Sequence, residues 1–198
     1  MAKEVAGLIG ALGLARPIVL GHSMGGMIAL VLACLYPTLA RGYILEDPPP
    51  FWISGALTPE DHKNRGTMLS GFERVKRQTK EELLTITRQE NPVWSEVELG
   101  PWADSKQRFS PKISRLIEFD QGAGSMEWQQ CLKRVDCPFM VITADQEYGS
   151  VLGGDEVSDL KKILARSATS PNCGSRHKIH REKFPQYMDA VEEFITAC

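Results

Sequence analysis

A short β-branched run followed by a long apolar run gives the clearest pattern in the sequence. Residues 18–20 read Ile-Val-Leu, residues 21–26 contain three glycines, and residues 27–35 are continuously apolar. The first run is too short for a helix, whereas the second is long enough for several helical turns. The pattern predicts a strand, a sharp turn and a buried helix.

Ser23 lies at the centre of this turn. Gly21 and Gly25 stand two positions before and after it, where the absence of side chains lets strand and helix approach. The helix is predicted to begin at Ser23 or Met24, so its free N–H groups and positive dipole end point to where an oxyanion would form. The simpler interpretation is that Ser23 only caps the helix.

The pattern of apolar and polar residues predicts three further strands. Residues 42–47 predict a second strand that Pro48 ends, and residues 137–143 predict a third. Residues 167–173 are polar and include Pro171, which predicts a short or irregular edge strand. Because the strand, helix and strand of residues 18–47 have short links, they form a right-handed parallel crossover. The fold class is therefore α/β, with a mostly parallel sheet of about four strands and flanking helices.

Apolar residues at helical spacing predict the remaining helices of this sheet domain. They are residues 4–12, a helix that starts at Asp155 or Glu156, and a closing helix that contains residues 184–195.

The motif G-H-S-M-G-G at 21–26, between these flanks, resembles the nucleophile elbow of the α/β-hydrolase superfamily. The A-L-G-L sequence at 11–14 is also similar to the helix end that precedes the elbow strand in that family. The resemblance implies that Ser23 is a nucleophile and that the backbone N–H of Met24 is an oxyanion donor. It also implies acyl transfer to water, with an ester, lactone, thioester or amide as substrate. A serine here argues against the dehalogenase and epoxide-hydrolase branches, which use aspartate.

A serine nucleophile needs a base, and the chain has four histidines. His22 lies inside the elbow, so we expect its side chain to point elsewhere, and His62 falls in a helical block. The base is then His177 or His180. Residues 177–184, H-K-I-H-R-E-K-F, resemble the H-N-I-H-R-E-x-F that follows the last strand in the family, which favours His177. The chain departs from the family at Arg176, where the family has glycine.

The orienting carboxylate has more than one candidate. Asp145 follows the third strand, and the family order of serine, aspartate and histidine along the chain favours it. Asp47, after the second strand, is the runner-up, and Glu147 is a weaker third choice. Either aspartate could instead cap the loop after its strand.

Residues 51–135 have a helical texture, with helix starts at Thr58, Thr79, Ser110 and Ser125 and no strand pattern. The predicted domains are therefore a core at 1–50 and 136–198 and a helical block at 51–135, which resembles the cap over the active site of many of these hydrolases. The four tryptophans, Trp52, Trp94, Trp102 and Trp128, all fall in this block. They either pack the block or line an apolar pocket.

The composition of the chain indicates which binding partners and which cellular compartment to expect. A net charge of -2 and a pI near 6.1 argue against nucleic acid and anionic membrane surfaces and favour a small apolar acyl substrate. The five cysteines form no C-x-x-C pair, and their odd number favours reduced thiols. With neither a signal peptide nor a long apolar span in the sequence, we expect a cytoplasmic protein. Nothing in the sequence requires a cofactor or a metal ion.

The family normally has several strands and an oxyanion loop before the elbow strand, whereas about 20 residues precede it here. The chain is therefore interpreted as the C-terminal part of a capped α/β-hydrolase. Its elbow strand would then be an exposed edge open to self-association. The competing hypothesis is a non-catalytic α/β-hydrolase-like module for binding or assembly.

Overall fold

The computed structural model describes residues 1–50, 70–110, 112, 126–164, 167–171 and 174–198. The chain divides into two compact units, Met1–Gly55 with Ser125–Cys198, and Ala56–Gly124. The predictions for His62, Trp52 and Cys173 lie outside the described residues.

The first unit contains a parallel four-stranded sheet in the order β1-β2-β3-β4. Its strands are β1 Ile18–His22, β2 Gly42–Glu46, β3 Phe139–Thr143 and β4 Ser167–Pro171. The α/β fold class is confirmed, and β4 is an edge strand as its polar sequence predicts. β1 is at the opposite edge of the described sheet.

Eight helices are described with both ends, and they are numbered along the chain. They are α1 Ala2–Ala11, α2 Met24–Leu35, α3 Lys80–Glu90, α4 Glu96–Arg108, α5 Trp128–Leu132, α6 Gly154–Ile163, α7 Ile179–Glu182 and α8 Phe184–Ala197. A 3₁₀ turn occupies Gln146–Tyr148, and residues 70–77 are also helical. The helices α3 and α4 belong to the second unit, and the others belong to the first.

The core of the first unit lies on the two central strands. Every residue of β2 is buried, as expected for a parallel strand covered on both faces. One face of β2 and β3 packs against α7 and α8 through the apolar residues Ile44, Met140, Ile142, Ile179, Tyr187, Val191 and Phe194. The apolar helix α2 buries Leu30 and Leu32 completely. The packed core therefore holds in place the end of β2, where the buried polar residues Glu46 and Asp47 lie.

The edge strand β1 is less covered than β2. Leu20 is 43% exposed, and Leu8, Leu12 and Leu14, in and after α1, are also exposed. Among the described strands β1 pairs with β2 alone. Self-association through this edge stays a prediction.

The expectation of five reduced cysteines is wrong. Cys34, in α2, and Cys131, in α5, form a disulfide with their Cα atoms 4.9 Å apart. Cys137 and Cys198 are outside it, the first buried and the second exposed. The pair closes a loop across 97 sequence positions and fastens the end of the elbow helix to the segment that leads into β3.

In the second unit, the predicted helix start at Thr79 is confirmed. The Thr79 hydroxyl accepts the Glu82 N–H, and the Glu82 carboxylate accepts the Thr79 N–H, which is a capping box. The Trp94 and Trp102 rings meet edge to face with centroids 6.3 Å apart. Trp94 is buried, so this pair packs inside the second unit. Trp128 is in α5 and belongs to the first unit.

Across the described residues, no helix combines the length and the apolar character needed to cross a membrane.

Candidate active site

The backbone at Ser23 has the strained geometry that a sharp strand-to-helix turn requires. Its φ is 54° and its ψ is −120°, a region that residues with a side chain rarely adopt. The Ser23 N–H donates to the Glu46 carbonyl at 2.8 Å, and α2 begins at Met24. Ser23 therefore stands between the end of β1 and the N-terminus of α2, as the sequence predicts.

The glycines around Ser23 differ in how tightly they are packed. A Cβ on Gly21 would lie 2.2 Å from the Gly25 carbonyl oxygen, which no side chain can tolerate. A Cβ on Gly25 would meet nothing within 4 Å, so the expected steric need for glycine there is wrong. The second close contact is at Gly26, where a Cβ would lie 2.9 Å from the Pro48 Cβ. The elbow thus depends on Gly21 and Gly26.

Strand register brings Asp47 beside Ser23. His22 pairs with Glu46 at the ends of the neighbouring strands β1 and β2. Ser23 and Asp47 are the residues that directly follow these two strand ends. Asp47 has a φ of 40° and is fully buried. Both residues therefore leave their strands at the carboxyl edge of the sheet, where ligand-binding groups of parallel sheets gather.

His177 contacts this aspartate directly. Its Nδ1 lies 2.6 Å from the Asp47 Oδ2, and its side chain is 27% exposed. Because Nδ1 donates to the carboxylate, Nε2 is left as the basic nitrogen. The structure therefore joins His177 to the runner-up acid, Asp47.

The Asp47 carboxylate has further donors from one loop. Ser150 Oγ donates to Oδ1 at 2.6 Å, and the N–H groups of Val151 and Leu152 donate at 3.1 and 3.2 Å. Burial favours the protonated acid, but the hydrogen bonds from His177, Ser150 and Val151 outweigh burial and keep the pKa of Asp47 below its ordinary value. Asp47 is therefore an ionised partner for an imidazole.

Asp145, the first choice of acid, has a different role. Its Oδ2 accepts the Gly174 N–H at 2.5 Å, and its own N–H donates to the Ser175 carbonyl at 3.1 Å. Its carbonyl accepts the N–H groups of Tyr148 and Ser150. Asp145 ties the loop after β3 to the loop that carries His177, and the carboxylate that contacts His177 in the structure is Asp47 instead. The third candidate, Glu147, is in the 3₁₀ turn and exposed.

His22 does not point away from the site, contrary to expectation. Its ring centroid lies 4.5 Å from that of His177, and its Nε2 lies 2.9 Å from the His177 carbonyl oxygen. Since a carbonyl can only accept, Nε2 carries the proton. Burial lowers the pKa of His22 and outweighs the opposing effect of Glu46. A neutral His22 therefore holds the main chain of His177.

The other candidate base, His180, pairs with a different acid. Its Nδ1 lies 2.8 Å from the Glu46 Oε1, which also accepts the His180 N–H at 3.0 Å. The structure thus separates two carboxylate–imidazole pairs, Asp47 with His177 and Glu46 with His180. Glu46 is 1% exposed.

Arg176, which stands where the family pattern has glycine, is hydrogen-bonded to Glu182. Glu182 accepts both the Arg176 N–H and its Nε–H at 2.8 Å, and its side chain is 6% exposed. The carboxylate thus braces the turn just before His177.

Ser150 and the Glu46 pair were not found from the sequence. Ser150 follows the third strand by a few residues in a turn-rich stretch that has no helix or strand period. Glu46 is the last residue of a strand whose other residues are mostly apolar, and this buried acid was a usable signal.

One cluster of described residues has metal-ligand chemistry. His22, Glu46 and His180 each offer a ligand atom, and these atoms lie within 4.8 Å of one another.

The family model described as alpha/beta hydrolase fold matches residues 1–147, which is most of the chain and includes Ser23 and Asp47. The chain belongs to the α/β-hydrolase family. His177 lies beyond the matched residues, so we include it in the candidate site of this α/β-hydrolase because of its contact with Asp47.

Two curated relatives of this α/β-hydrolase are similar over nearly all of its length. A Haemophilus influenzae protein whose name assigns it to the esterase/lipase group is 26% identical over 200 residues, covering 99% of this chain and 66% of its own. The Mus musculus sn-1-specific diacylglycerol lipase ABHD11 is 23% identical over 213 residues, covering 99% of this chain and 64% of its own. The chain spans just under two thirds of the length of each.

Solved structures agree on the fold. E-2-(acetamidomethylene)succinate hydrolase matches with a TM-score of 0.70 and 14% identity, over 98% of this chain and 72% of that one. A thermophilic esterase from Thermogutta terrifontis matches with a TM-score of 0.68 and 21% identity, over 99% and 71%. At these identities the likeness shows the fold alone.

Proposed function

We propose that this chain carries the catalytic residues of a serine hydrolase, with Ser23 as nucleophile, His177 as general base and Asp47 as the orienting acid. The observation that carries the proposal is the 2.6 Å contact between the His177 Nδ1 and the Asp47 Oδ2. It is supported by the strained backbone of Ser23, the residue next to Asp47 across the strand ends. Such a contact fixes the imidazole tautomer that can accept a proton at Nε2.

The chemistry proceeds in two halves. The Ser23 oxygen attacks the acyl carbonyl while His177 takes its proton, and the same proton passes to the leaving alcohol as the carbon–oxygen bond breaks. Water then attacks the acyl-enzyme, giving its proton to His177, and Ser23 recovers a proton as the acid leaves. Asp47 stays ionised and stabilises the imidazolium in both halves.

The developing oxyanion needs donors near Ser23. Met24 is the first residue of α2, and its N–H belongs to the turn for which the helix supplies no acceptor. We assign it as one oxyanion donor, helped by the positive end of the helix dipole.

The proposed substrate is an apolar acyl ester. The esterase/lipase and diacylglycerol lipase names of the two relatives support an ester over a lactone, thioester or amide. The chain has a net charge of -2, which gives no reason to expect a strongly anionic substrate.

Labelling with a fluorophosphonate tests this function, because the reagent reacts with an activated serine. We expect one label per chain, on the peptide that contains Ser23, abolished in Ser23→Ala and slowed in His177→Ala. Hydrolysis of a short-chain nitrophenyl ester should be lost in the same variants. A folded chain that takes no label and hydrolyses no ester would support the competing non-catalytic module instead.

A further inference from the structure

The proposed hydrolase chemistry leaves one buried acid unused. Glu46, the last residue of β2, is 1% exposed, and its oxygens lie 2.8 and 3.0 Å from the His180 Nδ1. A carboxylate this deeply buried is costly unless charge of the opposite sign or strong hydrogen bonds offset the lost water. Hydrogen bonds from His180 and Tyr187 supply part of that compensation, and a cation beside Glu46 would add to it.

Two histidines face this carboxylate. His22 pairs in register with Glu46 across β1 and β2, and its ring meets the His180 ring nearly at right angles, with centroids 5.1 Å apart. One ligand atom from each of the three residues lies within 4.8 Å of the others. Two strand ends and the start of α7 therefore converge on one point.

We propose that His22, Glu46 and His180 form a binding site for one divalent transition-metal ion, with zinc as the reference ion. Two imidazoles and one carboxylate are a donor set that zinc uses in proteins, with a fourth position left for water. Tetrahedral bonds of about 2.0–2.2 Å require ligand atoms roughly 3.3 Å apart. The Glu46 Oε1 and the His180 Nδ1 are already 2.8 Å apart, and the ligand atoms all lie within 4.8 Å of one another, so His22 must move closer by at most about 1.5 Å.

Outer contacts support the same site. Metal-binding histidines usually donate their second ring N–H to a carbonyl or a carboxylate, which fixes the ring. The Nε2–H of His22 donates to the His177 carbonyl at 2.9 Å and leaves the other ring nitrogen available. The buried Tyr187 hydroxyl donates to Glu46. Two of the three proposed ligands are therefore held from outside the cluster.

Nothing in the sequence requires a metal ion, so this metal site goes beyond what the sequence predicts. The proposal does not depend on hydrolysis by Ser23. Its readout is binding, so failure of the labelling experiment would leave this proposal standing, and the reverse also holds.

The test is titration of the purified chain with zinc in a calorimeter and with cobalt in an absorption spectrometer. We expect one ion per chain, the visible bands of four-coordinate cobalt, and no charge-transfer band from sulfur. Glu46→Gln, which keeps the shape but removes the charge, should weaken zinc binding at least roughly tenfold. His22→Asn should do the same, and it gives a second measurement if Glu46→Gln does not fold.

The matched control is Cys198→Ser, which removes an exposed thiol outside the cluster and should leave the affinity unchanged. Zinc should also raise the unfolding temperature of the wild type and of this control, but not that of the Glu46 and His22 variants. Absence of binding to the wild type would overturn the proposal. So would an affinity that both ligand variants retain, or a sulfur charge-transfer band that Cys198→Ser removes.

Discussion

The Nδ1 atom of His177 lies 2.6 Å from the Oδ2 atom of Asp47, across 130 positions of sequence. Asp47 is fully buried and accepts three further hydrogen bonds from residues 150–152, so the imidazole meets a carboxylate that cannot rotate freely. Ser23, with its strained backbone, follows the strand that pairs with the strand before Asp47. Glu46 and His180 form a second, separate acid–histidine pair.

The first prediction distinguishes the two aspartates. Asp47→Asn should slow fluorophosphonate labelling by about 10³–10⁴-fold, because an amide cannot hold the required tautomer or stabilise the imidazolium. Asp145→Asn is the control, since an amide oxygen can still accept the Gly174 N–H, and it should change the rate little. A larger loss in Asp145→Asn than in Asp47→Asn would contradict the assignment.

The second prediction concerns the glycines of the elbow. Gly21→Ala should destabilise the fold by about 3 kcal/mol or more, because its Cβ would overlap the Gly25 carbonyl and force a backbone shift. Gly25→Ala, whose Cβ meets nothing within 4 Å, should be tolerated. Urea unfolding of both variants measures the difference, and equal losses of stability would show that the close contact is not what requires glycine.

The third prediction concerns the disulfide between α2 and α5. Cys34→Ser should lower the free energy of unfolding by about 2–5 kcal/mol in oxidising buffer, because the bridge restricts a long loop in the unfolded chain. A reducing agent should have the same effect on the wild type and none on the variant. Cys198→Ser should be neutral in both buffers. Wild-type stability that does not change with reductant would contradict the bridge.

The fourth prediction concerns the brace before His177. Glu182→Ala removes the acceptor of two Arg176 donors and should cost about 1 kcal/mol of stability, since the half-exposed arginine can turn to water. Labelling should also slow, because the turn that carries His177 loosens. Lys162→Ala, which breaks an exposed pair with Asp159, is the control and should change neither quantity. Unchanged labelling in Glu182→Ala would show that the turn does not need this brace.

Local pattern predicted most of the architecture. The four strands, the elbow helix and the closing helix depend on apolar runs, glycine and proline that act within a few residues, and all of them are confirmed. The parallel crossover also follows from local links, and it brings the residues after β1 and β2 to one edge.

Long-range pairing was harder to predict. Asp47 and Asp145 both follow a buried strand, so the sequence could not tell which loop bends toward His177 and which one anchors residues 174 and 175. Cys34 and Cys131 meet only because α2 and α5 pack together. Gly25 is part of the motif, but a Cβ there would meet nothing within 4 Å, whereas the steric limit at Gly26 comes from Pro48, two residues after the end of β2.

A double-mutant cycle of Asp47→Asn and His177→Ala, read as the rate of fluorophosphonate labelling at Ser23, tests the central claim most directly. If Asp47 acts only through His177, the double variant should react about as slowly as His177→Ala alone, since residues that act as a unit have strongly non-additive effects. Losses that multiply in the double variant, or a folded wild type that does not label at Ser23, would contradict it.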